Sequence, residues 1–288
     1  MSTETTAAAA PAAATPPGIY DIPAHVYHAD RTSLSSSGAR KLLPPSCPAR
    51  FRYDQDHAPL PKKEFDFGTA AHQMVLGTGP RIVVVQHADW RSKAAQTERE
   101  NAYLDDAIPL LARDHRRVVA MAKALRDHPV ASVLFAEGSG APERSLYWLD
   151  RATGVTRRAR PDWLPPVTSG RLIIPDYKTT RDASTPAVEK ALYEYGYFQQ
   201  APWYEDGARA LLADDVAFVF VFQEKEPPYL VNVFEPAAMA MRLGRDMNRR
   251  ALEVFAECTA TNHWPGYGDD IKFAYLPPWA ENKIQELL

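Results

Sequence analysis

Asp176 and Lys178 are the side chains in this 288-residue chain whose type and spacing first suggest chemistry. They stand two positions apart at the end of an otherwise apolar run, IIPDYKTT at 173–180. Side chains two apart in a β-strand share a face, so the run predicts a carboxylate beside an ammonium group, with Tyr177 facing away. The structural alternative is an ordinary ion pair at a strand end, which contributes little to stability.

A second carboxylate, Asp162, lies in RPDWL near the end of the strand predicted before it. If the two strands pair through the connection PPVTSG, this carboxylate approaches that of Asp176. Two carboxylates so close together repel unless one is protonated or a cation lies between them. A hard divalent ion satisfies both. The pattern therefore predicts metal-assisted chemistry at the ends of these two strands.

The elements that must position these residues follow from hydrophobic periodicity and from capping and turn residues. The predicted helices are 39–43, 65–77, 92–104, 110–127, 186–213 and 237–260. The predicted strands are 143–150, 155–164, 171–180, 216–225 and 229–236.

This order of elements predicts the fold class. Helices come first, followed by a three-strand meander, a crossover helix, two further strands and a final helix. The fold is therefore expected to be α/β, with a mixed central sheet flanked by helices and a helical N-terminal part. We expect one domain over residues 19–288, preceded by an Ala/Pro-rich tail at 1–18 that should be disordered.

Composition and charge narrow the classes of function. The formal net charge is −3, so any binding of nucleic acid must use a local groove and bound cations, not overall basicity. Cys47 and Cys258 stand far apart without a CxxC motif, which argues against a zinc site, an iron–sulfur cluster or a disulfide framework. No apolar stretch reaches the length of a membrane span, and we expect a cytoplasmic protein.

The spacing of Pro161-Asp162 and Asp176-Tyr177-Lys178 resembles the signature of the PD-(D/E)xK nucleases, with Asp in the (D/E) position. Each half of this pattern alone occurs often by chance. Other residues follow the order of the RecB-like branch of that superfamily, whose helix after the catalytic strand carries a QxxxY motif. These residues are His72 in GTAAH, Glu143 in ERSLYW, and Gln200 and Tyr204 in QAPWY. Side chains four apart, as in QxxxY, share a helix face.

Over roughly residues 19–285 the chain resembles the RecE-type (exonuclease VIII-like) exodeoxyribonucleases of phages and prophages. The blocks that carry this resemblance are LSSSGARKLLPPSCPARF, FDFGTAAHQMVLG, ERSLYW, IIPDYKTT and WPGYGDD. The resemblance implies Mg²⁺-dependent 5′-to-3′ digestion of double-stranded DNA ends, with Mn²⁺ as a substitute, which leaves 3′ single strands for recombination by a RecT-like annealing protein. It also implies a ring-shaped homo-oligomer, a tetramer, in a bacterial host. The chain departs from these relatives by having Asp where Glu is common and by lacking the large extra region of the longest members.

The same resemblance implies roles for individual residues. The implied metal ligands for one or two Mg²⁺ ions are His72, Asp162, Asp176 and the backbone carbonyl of Tyr177. Such ions activate water and stabilise a leaving 3′ oxygen. Lys178 would position the attacking water and offset charge in the transition state. Glu143 would bind a second metal or orient a metal-bound water.

Five further residues are implied to contact DNA. Gln200 and Tyr204 would hydrogen-bond the backbone or the terminal nucleotide. Arg40, with Ser35 and Ser37 near a helix start, would hold a 5′ phosphate, because guanidinium groups and helix N-termini both favour phosphate oxygens.

Structural alternatives stand beside these roles. His72 could be a hydrogen-bonded helix histidine, Glu143 a surface charge, and the residues around Arg40 helix caps or solvated side chains. Two other functions also stay open at this point. One is a RecB-like nuclease of the CRISPR-adaptation or restriction type, and the other is a DNA-end-binding protein that does not cleave.

Overall fold

The computed structural model describes residues 14–57, 66–168 and 170–288, so most of the predicted N-terminal tail lies outside it. Its helices are α1 (Ala24–Ala29), α2 (Ser36–Lys41), α3 (Pro48–Asp56), α4 (Asp66–Leu76), α5 (Lys93–Leu104), α6 (Ala112–Asp127), α7 (Ala131–Leu134), α8 (Thr185–Glu194), α9 (Tyr197–Leu211), α10 (Ala238–Thr261) and α11 (Pro278–Gln285). Its strands are β1 (Gly18–Tyr20), β2 (Leu34–Ser35), β3 (Ile82–Val85), β4 (Ile108–Leu111), β5 (Ala141–Pro142), β6 (Ser145–Leu149), β7 (Thr156–Ala159), β8 (Trp163–Leu164), β9 (Leu172–Thr180), β10 (Val216–Glu224) and β11 (Val231–Phe234).

A mixed three-stranded sheet forms the centre of the fold, as the sequence predicts. β10 pairs in parallel with β9 and antiparallel with β11. The run VAFVFVFQ of β10 is buried along its whole length, which is typical of a central strand covered on both faces. Burying each of its phenylalanine side chains contributes about 1.5–3 kcal/mol. In the parallel register Asp176 stands opposite Phe220, and Lys178 stands opposite Phe222.

Helices cover both faces of this sheet. On one face, Phe218 and Phe220 of β10 pack in a core that includes Trp203 of α9 and Leu252 of α10. On the other face, Tyr177 and Val221 pack with α4 and α6, in a second core that contains Ala71, Val118 and Met121. Tyr177 therefore faces away from the side occupied by α9, as the period-2 argument predicts. No helix within the described ranges is long and apolar enough to cross a membrane.

The predicted three-strand meander is wrong. The segment 155–164, expected to be one strand, divides into β7 and β8, which belong to different sheets. β7 pairs with β6 and β2 in a four-stranded sheet, β8 pairs with β5, and β9 pairs with β10 instead. Pro161 stands between β7 and β8, and proline cannot donate a hydrogen bond to a strand ladder. The ladder of β7 accordingly ends before it.

Two of the predicted helices also differ from the structure. The single crossover helix 186–213 is two helices, α8 and α9, separated at Gly196, which has φ of 68°. A side chain there would also collide with Arg40, since a Cβ atom would lie 2.4 Å from its Cδ. The helix predicted at 110–127 begins at Ala112, because the residues before it pair with β3 as strand β4. The N-terminal part is thus less purely helical than expected.

Candidate active site

Asp176 lies in β9 and is 1% exposed, in contact with two polar side chains. Its Oδ2 lies 2.5 Å from Nζ of Lys178, and its Oδ1 accepts a hydrogen bond of 2.8 Å from Nε2 of Gln200. Lys178 also lies 5.2 Å from the centroid of the Tyr197 ring, at the start of α9. The predicted pair on one strand face is therefore present, and the first residue of the QxxxY motif contacts it directly.

Asp162 approaches β9 by a route that the sequence did not predict. It stands just before β8, which does not pair with β9, and its Oδ2 accepts a 2.8 Å hydrogen bond from the backbone N–H of Tyr177. The same oxygen lies 3.6 Å from Nδ1 of His72 on α4. Tyr177 thus contributes its main chain to the site, while its hydroxyl donates to Gln223 in the core on the other face.

The two carboxylates are costly to ionise in this environment. Burial raises the pKa of Asp176 to about 6, with Lys178 opposing the shift and Asp162 adding to it. Burial likewise raises the pKa of Asp162, against the attraction of Lys178. Proximity of like charge and loss of water are the physical reasons why both acids hold their protons more strongly than in solution.

The two basic groups respond to the same surroundings in opposite directions. Burial and, after it, the positive charge of Lys178 lower the pKa of His72 to about 4. Its imidazole is therefore neutral at pH 7, which is the form that binds metal ions. For Lys178, burial acts to lower the pKa, but the carboxylates of Asp176 and Asp162 outweigh it and raise the pKa. Lys178 is therefore firmly protonated.

The side chains of His72, Asp162 and Asp176 are of the types that bind a divalent cation, but they are not arranged as a complete coordination site. Within residues 14–57, 66–168 and 170–288, no three His, Cys, Asp or Glu side chains form a group that could hold a metal ion. Asp176 Oδ2 is nevertheless buried, with Nζ of Lys178 as its ion-pair partner at 2.5 Å. A buried carboxylate oxygen beside a second carboxylate and a neutral imidazole is a donor set that accepts a hard cation, once Lys178 makes room.

A cavity of about 400 Å³ opens beside these acids. Its lining combines residues predicted to contact DNA with residues predicted to be catalytic or to bind metal. Its lining includes Ser35, Ser37, Arg40, Glu143, Arg160, Asp162, Tyr197, Gln200 and Tyr204. Asp176 lies next to this cavity through its hydrogen bond to Gln200.

The residues around Arg40 occupy one wall of the cavity. Ser35 is the N-cap of α2, and its hydroxyl accepts a 3.1 Å hydrogen bond from the N–H of Gly38. The hydroxyl of Ser37 lies 3.2 Å from that of Ser35. Arg40 is exposed in the last turn of the helix, not at its N-terminus. The capping role predicted for Ser35 is confirmed, and Arg40 is the residue of this group with a guanidinium facing the cavity.

Glu143 does not begin a strand as predicted. It stands between β5 and β6 with φ of 49°, and its carboxylate Oε2 lies 2.9 Å from Nη2 of Arg160. Its own N–H donates to the carbonyl of Asp162 at 3.2 Å. Because Glu143 is an ion-pair partner, its carboxylate is directed toward Arg160 and orients that guanidinium.

Arg160 is a cavity residue that the sequence reasoning missed. Its Nη1 donates to the carbonyl of Ile22 and to the hydroxyl of Ser145, both at 2.8 Å. Its own carbonyl accepts a 3.3 Å hydrogen bond from the hydroxyl of Tyr204. The available signal was its position immediately before Pro161-Asp162. Tyr204 therefore supports this loop through its hydroxyl.

Comparison with known proteins gives a family and a fold. The model of a family described as "PDDEXK-like domain of unknown function (DUF3799)" matches residues 35–276. No curated protein matches the sequence. The crystal structure of a protein named "Putative exonuclease" from Eubacterium rectale is similar with a TM-score of 0.59 and 8% identity, covering 93% of this chain and 98% of that one.

A second solved structure, that of SSO0001, has a TM-score of 0.31 and 15% identity, covers 69% of this chain and 85% of that one, and supports no further argument. The family match identifies a PDDEXK-like domain, and the first neighbour shares its mixed α/β fold.

Proposed function

Because this chain belongs to the PDDEXK-like family DUF3799, we propose that it is a metal-dependent exodeoxyribonuclease acting on the ends of linear double-stranded DNA. The observation that carries this proposal is the contact of Asp176 with both Lys178 and Gln200, beside Asp162. An acid pair with a protonated lysine is the set needed to hydrolyse a phosphodiester with a bound cation.

The cation, Mg²⁺ with Mn²⁺ as a substitute, would be held by His72, Asp162, Asp176 and the main chain of Tyr177. When bound it would supply an activated water and charge for the leaving 3′ oxygen. Its positive charge would also favour the ionised form of Asp176, whose pKa is raised to about 6 without it.

Lys178 and Gln200 complete the chemistry from the side of the protein. Lys178 stays protonated because two carboxylates face it, so it can place a positive charge where negative charge develops on the phosphate. Gln200 holds Asp176 in place through a 2.8 Å hydrogen bond from its amide. Both groups are held beside Asp176 by the elements that carry them, β9 and α9.

The cavity would receive the 5′ end of one strand. Arg40 and Ser37 are exposed residues of its lining, which also includes Asp162 and Arg160, and Arg160 is held by Glu143. Arg40 would bind a terminal 5′ phosphate, because a guanidinium binds phosphate oxygens in a bidentate way. This arrangement favours 5′-to-3′ digestion that leaves 3′ single strands, independent of sequence since no base contact is required.

The proposed activity also suggests a biological role and an oligomeric state. A 3′ single strand is the substrate of a RecT-like annealing protein, so recombination by strand annealing in a bacterial host, encoded by a phage or prophage, is the proposed role. A single chain with net charge −3 has weak electrostatic hold on DNA. A closed homo-oligomer, with a tetramer as the expected size, would keep the enzyme on its substrate between cuts.

The test uses linear duplexes labelled at either end, with and without a 5′ phosphate, together with nicked circular DNA. We expect degradation of linear DNA from the 5′ end, faster with the phosphate, and none in excess chelator. Loss of label from 3′ ends first would overturn the direction. Cutting of circular DNA would favour a restriction-type or adaptation-type nuclease, and binding without cutting would favour an end-binding protein.

A further inference from the structure

The C-terminal arm, defined here as residues 266–288, carries large apolar side chains that are exposed. Ile271 is 100% exposed, Phe273 87%, Tyr275 82% and Trp279 72%. Helix α11, within the arm, has no buried residue. A helix of this length is marginal in water unless it packs on something, and contiguous exposed aromatic groups mark a segment that docks.

The base of the arm is fixed, although the rest is not. Trp264 stacks on Phe51 of α3, with ring centroids 5.7 Å apart. The carbonyl of Pro265 accepts a 3.1 Å hydrogen bond from the N–H of Ala49. Beyond this point the hydrogen bonds found among the described residues join members of the arm, such as Lys272 Nζ to the carbonyl of Tyr267. The arm is therefore anchored at one end and projects from the domain.

A groove elsewhere on the same chain has an apolar lining that could receive the apolar side chains of the arm. The α8–α10 groove, of about 890 Å³, lies between α8, the end of β11 and the first half of α10. Its apolar lining includes Val188, Leu192, Phe198, Phe234, Leu243 and Met247. Met239 and Leu243 on its α10 side are 57% and 49% exposed. A concave apolar surface of this size is suited to receive a segment such as α11.

The arm and the groove lie at opposite ends of α10. Leu243 belongs to the first part of that helix, whereas the arm follows its last residue, Thr261. At 1.5 Å per residue, the helix separates the two by about 27 Å. To fill the groove of its own chain, the arm would have to turn back along this distance from its anchor on α3. A neighbouring copy can present the arm without that reversal.

We propose that the C-terminal arm of one copy of this chain docks in the α8–α10 groove of a second copy. The three exposed aromatic side chains alone would remove about 450–750 Å² from water. With Ile271 added, the area that the arm alone contributes approaches the roughly 800 Å² per partner of a standard interface. Because every copy carries both an arm and a groove, the exchange closes either as a reciprocal dimer or as a ring.

The contact is tested first by the mass of the native, full-length protein, measured by light scattering over a range of concentrations. Phe273→Ser in the arm and Leu243→Glu in the groove should each raise the dissociation constant of the assembly at least about tenfold. The matched control is Val133→Glu on α7, where a similarly exposed apolar residue lies outside both surfaces. It should leave the assembly unchanged. A wild-type protein that stays a single subunit at all concentrations would overturn the proposal.

Cross-linking then identifies which copy supplies the arm. Copies carrying Met239→Cys are mixed with differently tagged copies carrying Trp279→Cys, while the native Cys47 and Cys258 are buried. We expect a disulfide-linked pair containing one copy of each. A double variant that links only within one chain would show that the arm folds back, and the proposal would be wrong. Neither experiment depends on DNA cleavage, so its failure is distinct from failure of the nuclease proposal.

Discussion

Asp150, just after β6, and Asp176, in the middle of β9, are both buried carboxylates, but their environments shift their pKa values in opposite directions. Asp150 accepts hydrogen bonds of 2.8 and 2.9 Å from the two Nη atoms of Arg249, and others from the N–H and hydroxyl of Thr153. Burial acts to raise its pKa, yet these donors outweigh it and lower the pKa to about 2. Burial raises the pKa of Asp176 to about 6 in spite of Lys178.

The opposite pKa shifts mean that ionised Asp150 stabilises the folded state, whereas ionisation of Asp176 costs free energy in the folded state. Asp150 has donors on both oxygens, so its ionised form is satisfied. Asp176 has a neighbouring carboxylate, Asp162, that adds to the rise in its pKa, although Gln200 and Lys178 each contact one of its oxygens. Groups whose ionisation is made costly by a specific neighbour cluster at functional sites. The contrast therefore favours a catalytic or metal-binding use for Asp176 over a purely structural one.

Removing the positive charge beside Asp176 should have the largest effect. We expect Lys178→Ala to lower the rate of DNA cleavage at least about 100-fold, because the lysine acts on charge that develops in the transition state. Binding to DNA ends should change little, since the ground state needs this charge less. Turnover and end binding are measured on the same end-labelled duplex, with Lys190→Ala on exposed α8 as control. Near-normal turnover would remove Lys178 from the mechanism.

The matched substitutions Asp150→Asn and Asp176→Asn should separate the effect on stability from the effect on DNA cleavage. Asp150→Asn should lower the free energy of unfolding by about 1.5–3 kcal/mol, the range for a hydrogen bond to a charged group. The cleavage rate of its folded fraction should be retained. Asp176→Asn should lose cleavage while keeping or raising the free energy of unfolding at pH 7. Urea denaturation with activity assays checks both. Loss of cleavage in a well-folded Asp150→Asn variant would contradict the comparison.

A smaller effect on cleavage is expected from His72, which lies beside Asp162. His72→Ala should lower cleavage in Mg²⁺ by about tenfold, similar to the loss of a supporting group at a metal site. Replacing Mg²⁺ by Mn²⁺ should restore part of the rate, because Mg²⁺ demands a nearly ideal octahedral set and Mn²⁺ tolerates an incomplete one. His87→Ala, a histidine paired with Glu98 far from the acids in sequence, is the control. Equal rates of His72→Ala and wild type in Mg²⁺ would leave this imidazole a structural group.

The smallest effect is a difference in pH dependence, measured without divalent metal. The folded pKa of Asp150 lies below its ordinary value, so its stabilising contribution exists at neutral pH and is lost as pH falls from about 4 to 2. The folded pKa of Asp176 lies above its ordinary value, so the folded state holds an extra proton between about pH 4 and 6. Its contribution to stability therefore falls as pH rises through that window.

Denaturation of wild type and the two Asn variants at several pH values resolves these contributions. The stability advantage of wild type over Asp150→Asn should shrink toward acid pH. The difference between wild type and Asp176→Asn should instead move in favour of the variant as pH rises. Parallel curves for all three proteins would mean that the two carboxylates share one kind of environment.

Much of the fold could be predicted from local patterns. The helix that carries His72 was predicted at 65–77 and spans Asp66–Leu76, and strand 171–180 is Leu172–Thr180 in the structure. These elements have strong periodicity and clear ends. The break at Gly196 and the division at Pro161 were missed, although both involve residues that commonly interrupt elements. In each case the flanking hydrophobic pattern ran on without a change of period.

Sequence alone determined which side chains share a face. Asp176 and Lys178 lie together because strand periodicity is a property of the backbone over a few residues, and Gln200 and Tyr204 share a helix face for the same reason. Only the tertiary structure decided what those faces meet. It brought Gln200 onto Asp176 and paired Glu143 with Arg160. It also joined Asp162 to the N–H of Tyr177, although β8 and β9 do not pair. Contacts between distant segments depend on how the whole chain buries its apolar surface, and no local pattern encodes them.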